Sequence, residues 1–185
     1  MIKRKKTRFW LIAVAAFAAV TNASAADDLS PGSRPTRIAV LDIELTGDLG
    51  GPELAREHAA RVQAASAHLR EELRRTHIYE VADNAPAQEM IERFGSVQYL
   101  HKCNGCDLDI GQALGAQQVL VAWIHRVSNL ILTLNFEIRD VRTGNVAVRG
   151  SFGFRGDNDA AWTRAVEYLV KDLEERVKPA SAHVP

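Results

Sequence analysis

The chain has 185 residues, 46% of them hydrophobic and 25% charged, with 23 basic residues balancing 23 acidic ones. That length supports a real hydrophobic core, and two cysteines are too few for a scaffold built on disulfides. Five basic residues (Lys3, Arg4, Lys5, Lys6 and Arg8) precede position 9, so the remainder holds 18 basic against 23 acidic residues. That net charge of −5 offers nucleic acid no basic face.

Residues 1–25 have the layout of a secretory signal peptide. The basic cluster is followed by an apolar run from Phe9 to Val20 and by the small-x-small pattern Ala23-Ser24-Ala25. Twelve apolar residues fall short of the ~20 that span a bilayer, which favours cleavage after Ala25 over a membrane anchor. The leader holds no arginine pair, so the general secretory route is expected, and no cysteine lies near the cleavage site to take a lipid. Residues 26–36 form a polar lead-in rich in Pro, Ser and Gly.

One α/β domain is expected over 37–178. Arg37 to Leu45 predicts a first strand whose front half is continuously apolar, as in a strand buried on both faces. A Gly-rich turn from Thr46 to Gly51 leads to Pro52, suited to a helix's first turn. Leu54, His58, Val62, Ala65, Leu69 and Leu73 then recur at helical spacing, with Glu57–Arg61 and Glu71–Arg75 as i,i+4 pairs on the wet side. Ile78 to Ala82 reads as a short strand. Pro86 opens a helix with Ala87, Met90, Ile91 and Phe94 on one face, ended by Gly95. After the cysteines, Asp107 or Asp109 can cap a short helix carrying Ile110, Ala113 and Leu114, stopped at Gly115.

Gln118 to His125 is nearly all apolar and reads as a central strand. Leu130, Leu132, Leu134, Phe136 and Ile138 alternate with polar or smaller partners, and Val146, Val148, Phe152 and Phe154 continue the period after a turn at Arg142–Asn145. Asp157 to Asp159 caps a last helix with the stripe Trp162, Ala165, Leu169, Leu173 and Val177, and residues 179–185 form a loose tail. The fold class is therefore α/β: two or three layers, a mixed sheet of about five strands ending in an antiparallel meander, packed by two long helices.

This order of elements resembles the α/β domain shared by the amino-terminal part of TolB and the curli secretion lipoprotein. The likeness covers about residues 37–177 and is carried by Arg37-Ile-Ala-Val-Leu-Asp, Asp109-Ile-Gly-Gln-Ala-Leu-Gly-Ala and Asp140-Val-Arg-Thr-Gly-Asn-Val. The chain also resembles a group of uncharacterised proteobacterial secreted proteins, through Cys-x-x-Cys followed by Asp-x-Asp-Ile-Gly and, downstream, Val-Ser-Asn-Leu-Ile-Leu. The resemblance implies roles in envelope assembly or interaction without chemistry, and transfers no catalytic residue.

Cys103 and Cys106 are the candidate site. In an oxidising compartment the pair can be a structural bridge, worth about 2 kcal/mol for so short a loop, or a redox centre. A following helix start favours a thiolate, whereas Asp107 and Asp109 oppose it, and Lys102 stands where thioredoxin-like sites carry an aromatic residue. Haem attachment needs histidine where Asp107 stands. For zinc, His101, Cys103 and Cys106 lack a fourth ligand at finger spacing. His58 and His125 read as rim histidines with backbone partners. Gly47 to Gly51 matches no phosphate-binding pattern, no serine sits in a Gly-x-Ser-x-Gly elbow, and Asp157-Asn158-Asp159 suits a helix cap better than a calcium loop. No catalytic residue, metal or cofactor is expected.

The sequence thus points to a soluble, exported, non-enzymatic accessory or interaction protein with a local disulfide, periplasmic in a Gram-negative source. Its expected partner is an envelope protein met through a sheet edge or the cysteine loop, with no nucleic acid and no stable membrane anchor after cleavage. A thiol–disulfide or electron-transfer accessory, with Cys103 attacking and Cys106 resolving, is the alternative. A small-molecule carrier with a cleft near the ends of the buried strands is the third reading.

Overall fold

The computed structural model describes residues 35–177; the leader, most of the lead-in (to residue 34) and the tail expected from the sequence lie outside the described residues. Six strands, β1 (Thr36–Val40), β2 (Glu44–Gly47), β3 (Tyr79–Val81), β4 (Gln118–Arg126), β5 (Ile131–Asp140) and β6 (Val146–Arg155), form one mixed sheet. Its order is β3-β1-β4-β5-β6, with β2 also beside β4. The first three strands run parallel to their neighbours, and β4, β5 and β6 form the antiparallel meander the alternation predicts.

The expected first strand is broken by one extra residue. Val40 pairs with Leu120 and Glu44 with Trp123, so four steps along one strand match three along the other. Leu41 and Ile43 are buried on opposite faces, and Asp42 is the exposed surplus residue between them. Such a bulge shifts side-chain parity, because alternation continues from the wrong side of the interruption. Its consequence is that Ile43 and Leu45 join the same face as Ile38 and Val40, while Glu44 is turned to the other. The displaced Ile43 amide donates to Ser66 Oγ at 2.9 Å.

On one face lie α1 (Ala55–Thr76) and α4 (Asp159–Val177), the two long helices, over a core that includes Leu69, Leu73, Leu132, Leu134, Phe136 and Trp162. The other face is covered at its β1/β4 end by α2 (Gln88–Gly95) and α3 (Cys106–Ala113), around Leu41, Leu100, Ile110, Val119 and Val121. Both helix stripes match the sequence reading, with two local differences: Leu130 precedes β5 and is exposed, and on α3 the buried small residue is Gly111 rather than Ala113. A Cβ at Gly111 would stand 2.6 Å from Val141 Cγ2, so the close approach of α3 to the sheet needs glycine there. Among the described residues no helix is long and apolar enough to cross a membrane.

Candidate functional site

Cys103 and Cys106 form a disulfide with Cα atoms 5.5 Å apart. The bridge closes the loop between a short 3-10 turn at Leu100–Lys102 and α3, and Gly105 supplies the left-handed step (φ 101°) before the helix starts. The parity change at the bulge acts here. Glu44 reaches under the loop and accepts bonds from the Leu100 amide (2.6 Å), the His101 amide (3.1 Å) and His101 Nδ1 (2.5 Å). The His101 ring stacks on Trp123 of β4 with centroids 4.5 Å apart. On the far flank the buried Asp107 accepts from Arg139 Nη1 with both oxygens, at 3.0 Å each, and Arg139 also donates to the Gly144 carbonyl.

This geometry revises three expectations. Neither Asp107 nor Asp109 caps α3; its N-cap is Gly105, without a side-chain cap. Asp107 is instead turned inward and paired with Arg139, whose positive charge offsets it. The exposure of the two residues is also reversed: Cys103 is buried, and Cys106, at the first turn of α3, is half-buried. The two sulphurs are joined to each other, and His101 is engaged by Glu44.

A second polar centre went unread in the sequence. Asp157, in the loop before α4, accepts from Arg126 Nε (2.6 Å), Arg61 Nη1 (2.9 Å), His58 Nε2 (3.0 Å) and Trp162 Nε1 (3.2 Å). Arg61 also donates to Asp159 (2.9 Å) and Glu57 (2.5 Å), and Arg126 to the Asp48 carbonyl (2.5 Å). Burial alone would raise the Asp157 carboxyl, but the bonds from Arg126 and His58 and the nearby Arg61 charge outweigh it and hold the group below the usual carboxylate range. Burial likewise opposes the Arg61 charge, and the bonds to Asp159 and Glu57 reverse that and raise its pKa.

The cluster ties α1, the end of β4 and the start of α4 together. Its shared carboxylate is held by two guanidiniums and an indole, so the His58–Asp157 pair has the character of a brace rather than an acid–base dyad. The Glu57–Arg61 pair exists, but Arg61 is buried rather than wet, and His58 has a carboxylate partner rather than a backbone one. Glu71 and Arg75 do not pair with each other: Glu71 meets Arg74, and Arg75 meets Glu72. Of the three residues expected as a cap, only Asn158 caps α4, accepting from the Ala161 amide at 3.0 Å. His125 is exposed and lies 3.2 Å from Thr46 Oγ1. A helical step of three from His58 to Arg61 was the available signal that both share the inward side.

Beside this brace, Leu45, Leu49, Pro52, Ala55, His58 and Val62 line an apolar hollow of about 370 Å³ at the carboxyl end of β2. A groove of about 400 Å³ runs between β6 and α4, lined by Phe152, Phe154, Ala161, Ala165 and Tyr168.

No curated protein sequence matches this chain. Among solved structures it is similar in fold to Escherichia coli LpoB, with a TM-score of 0.50 at 17% identity over 65% of this chain and 56% of that one, so it spans little more than half of LpoB's length. TolB from Acinetobacter baumannii matches with a TM-score of 0.47 at 12% identity, over 78% of this chain and 28% of TolB. Lipoprotein GNA1162 from Neisseria meningitidis matches with 0.43 at 17% identity, over 76% and 98% of the two chains. Residues 36–173 match the family model DUF3280, described as "Protein of unknown function (DUF2380)", and by that match over most of its length the chain belongs to this family.

Proposed function

We propose that this protein is an exported accessory of the bacterial envelope that acts by binding another protein, with Cys103–Cys106 as a structural staple. The observation that carries the reading is the double clamp on the cysteine loop. Glu44 and Trp123 hold one flank and Arg139 the other, and the more open cysteine, Cys106, begins a helix locked by the same contacts. The polar groups best placed for chemistry (His58, Arg61, Arg126 and Asp157) are likewise engaged in joining helices to the sheet. What the chain offers is surface. The leader at 1–25 supports export by the general secretory route, and residues 37–178 are taken as one domain with a short tail. The fold shared with LpoB agrees with the envelope resemblance seen in the sequence.

The redox reading keeps one observation in its favour: Cys106 sits at a helix start, where the backbone amides favour a thiolate. Protein recovered after export should begin at Ala26 by mass spectrometry, carry no free thiol, and have a disulfide potential below about −300 mV. Cys103→Ser and Cys106→Ser should each trap no partner. A potential between about −120 and −270 mV, with mixed disulfides formed through Cys106, would replace the accessory reading by the redox one. Recovery of an intact Met1 would end the export claim.

A further inference from the structure

Among the described residues β6 is an edge strand, bonded to β5 on one side only. Two hydrogen bonds fix which of its backbone groups face outward. The Gly156 amide points inward to the Leu130 carbonyl (3.3 Å), whereas the Arg149 carbonyl points outward and accepts from Arg176 Nη1 (3.3 Å). Alternation then turns the amides and carbonyls of Arg149, Ser151, Gly153 and Arg155 away from the sheet, a template about seven residues or ~20 Å long. Phe152 and Phe154 lie on the α4 side and form the groove with Ala161, Ala165 and Tyr168; the Phe152 and Tyr168 rings meet edge to face at 4.7 Å. Tyr168 is 56% exposed. Arg155 and Arg164 flank the groove, and neither forms an ion pair among the described residues.

We propose that the outer edge of β6 and the groove beside α4 receive an extended segment of a partner protein in which apolar and acidic residues alternate. The segment adds as a further strand. Its apolar side chains enter the groove over Phe152 and Phe154, and its acidic ones fall on the opposite face, beside Arg155 and beside Arg149, which also meets Glu137 of β5 at 3.5 Å. Period two serves both faces at once. Charge disfavours a second copy in the register that uses the whole edge: an antiparallel pair of β6 strands centred on Phe152 sets Arg149 opposite Arg155 of the other copy, and like charges directly opposed destabilise a sheet. The same arginines guard the edge against unwanted pairing and leave it open to an acidic strand. This inference rests on the reading of the protein as an interaction module.

The test uses the full-length chain, labelled with 15N, and a fluorescent acetylated heptapeptide, Glu-Val-Glu-Phe-Glu-Val-Glu. Saturable binding is expected, with amide shifts at Ser151, Gly153, Arg155 and Tyr168. Replacing every Glu of the peptide by Lys should weaken binding by roughly tenfold or more, as should Arg155→Glu on the face that receives the acidic side chains. Gly153→Pro should do the same by removing an outward amide; a Cβ there meets nothing nearer than the Leu132 carbonyl at 3.8 Å. If Gly153→Pro does not fold, the arginine variant, altered only at an exposed position, still decides. Absence of saturation up to about 1 mM, equal binding of the Lys peptide, shifts centred on the Leu45–Leu49 hollow, or a wild-type dimer that Gly153→Pro makes monomeric would each overturn the proposal. A redox-inert disulfide with no peptide binding sinks the groove alone, whereas a redox-active disulfide sinks the interaction reading itself.

Discussion

Replacing Asp157 by Asn removes one negative charge from the centre of the brace and leaves its volume nearly unchanged. The Arg61 and Arg126 side chains are only 5% and 6% exposed, so neither can turn to water for compensation. Removing one partner from a buried ion pair costs about 3–5 kcal/mol, mostly because the other charge stays buried. Arg61 keeps Glu57 and Asp159, and Arg126 keeps the Asp48 carbonyl, which places the expected cost near 3 kcal/mol. With a urea m-value of roughly 2 kcal/mol/M, the midpoint should fall by about 1.5 M without a change of slope. Asp159→Asn is the control: its side chain is 89% exposed, so its bond to Arg61 should be worth no more than about 1 kcal/mol. The sign of the pH effect follows from the depressed Asp157 carboxyl. Its contribution is complete above the usual carboxylate range and is lost as pH falls through the lowered value. The gap between wild type and Asp157→Asn should therefore close on acidification below about pH 4. Equal losses for the two variants, or a gap that widens in acid, would show that Asp157 is not the keystone described.

Trp162→Ala should cost about 3–5 kcal/mol in denaturant melts, while Arg164→Ala, on the exposed side of α4, should stay within about 0.5 kcal/mol. Gly150→Val should destabilise by about 1–3 kcal/mol, because even a Cβ would stand 2.3 Å from the Phe136 ring, and Phe136→Leu in the same chain should recover part of the loss. Changing both cysteines to serine should cost about 2 kcal/mol and leave the far-ultraviolet circular dichroism unchanged. Glu44→Gln should speed amide exchange at Leu100 and His101 while sparing β5, which would separate the clamp from global stability.

Local pattern carried much of the fold. The period-two run along β5 and the stripes of α1 and α4 were legible because each depends only on which residues must face a core. The break at Asp42 was not, because a bulge is defined against β4, nearly eighty positions away. The polar centre failed for a different reason. Glu57 and Arg61 satisfy the rule for a surface pair so well that nothing local signals the second partner of Arg61, at Asp157. Asp157 itself looks like part of a helix cap, and the neighbouring Asn158 does the capping. The cysteine spacing made a local bridge legible, but the Arg139–Asp107 contact that fixes its far flank joins residues 32 apart in sequence.

The bulge also makes insertions and deletions unequal along this part of the chain. Asp42 is the surplus residue between two stretches that are each in register with β4. A lineage that lost it would inherit a continuous strand with Ile43, Glu44 and Leu45 still on their present faces, at the cost of the Arg70–Asp42 pair and the Ser66 contact to the Ile43 amide. Loss of a neighbour such as Ala39 would instead shift Ile38 and everything before it relative to β3 and β4. Length variation in relatives of this protein should therefore collect at position 42, and Glu44 should keep its hold on the cysteine loop in the shortened forms as well.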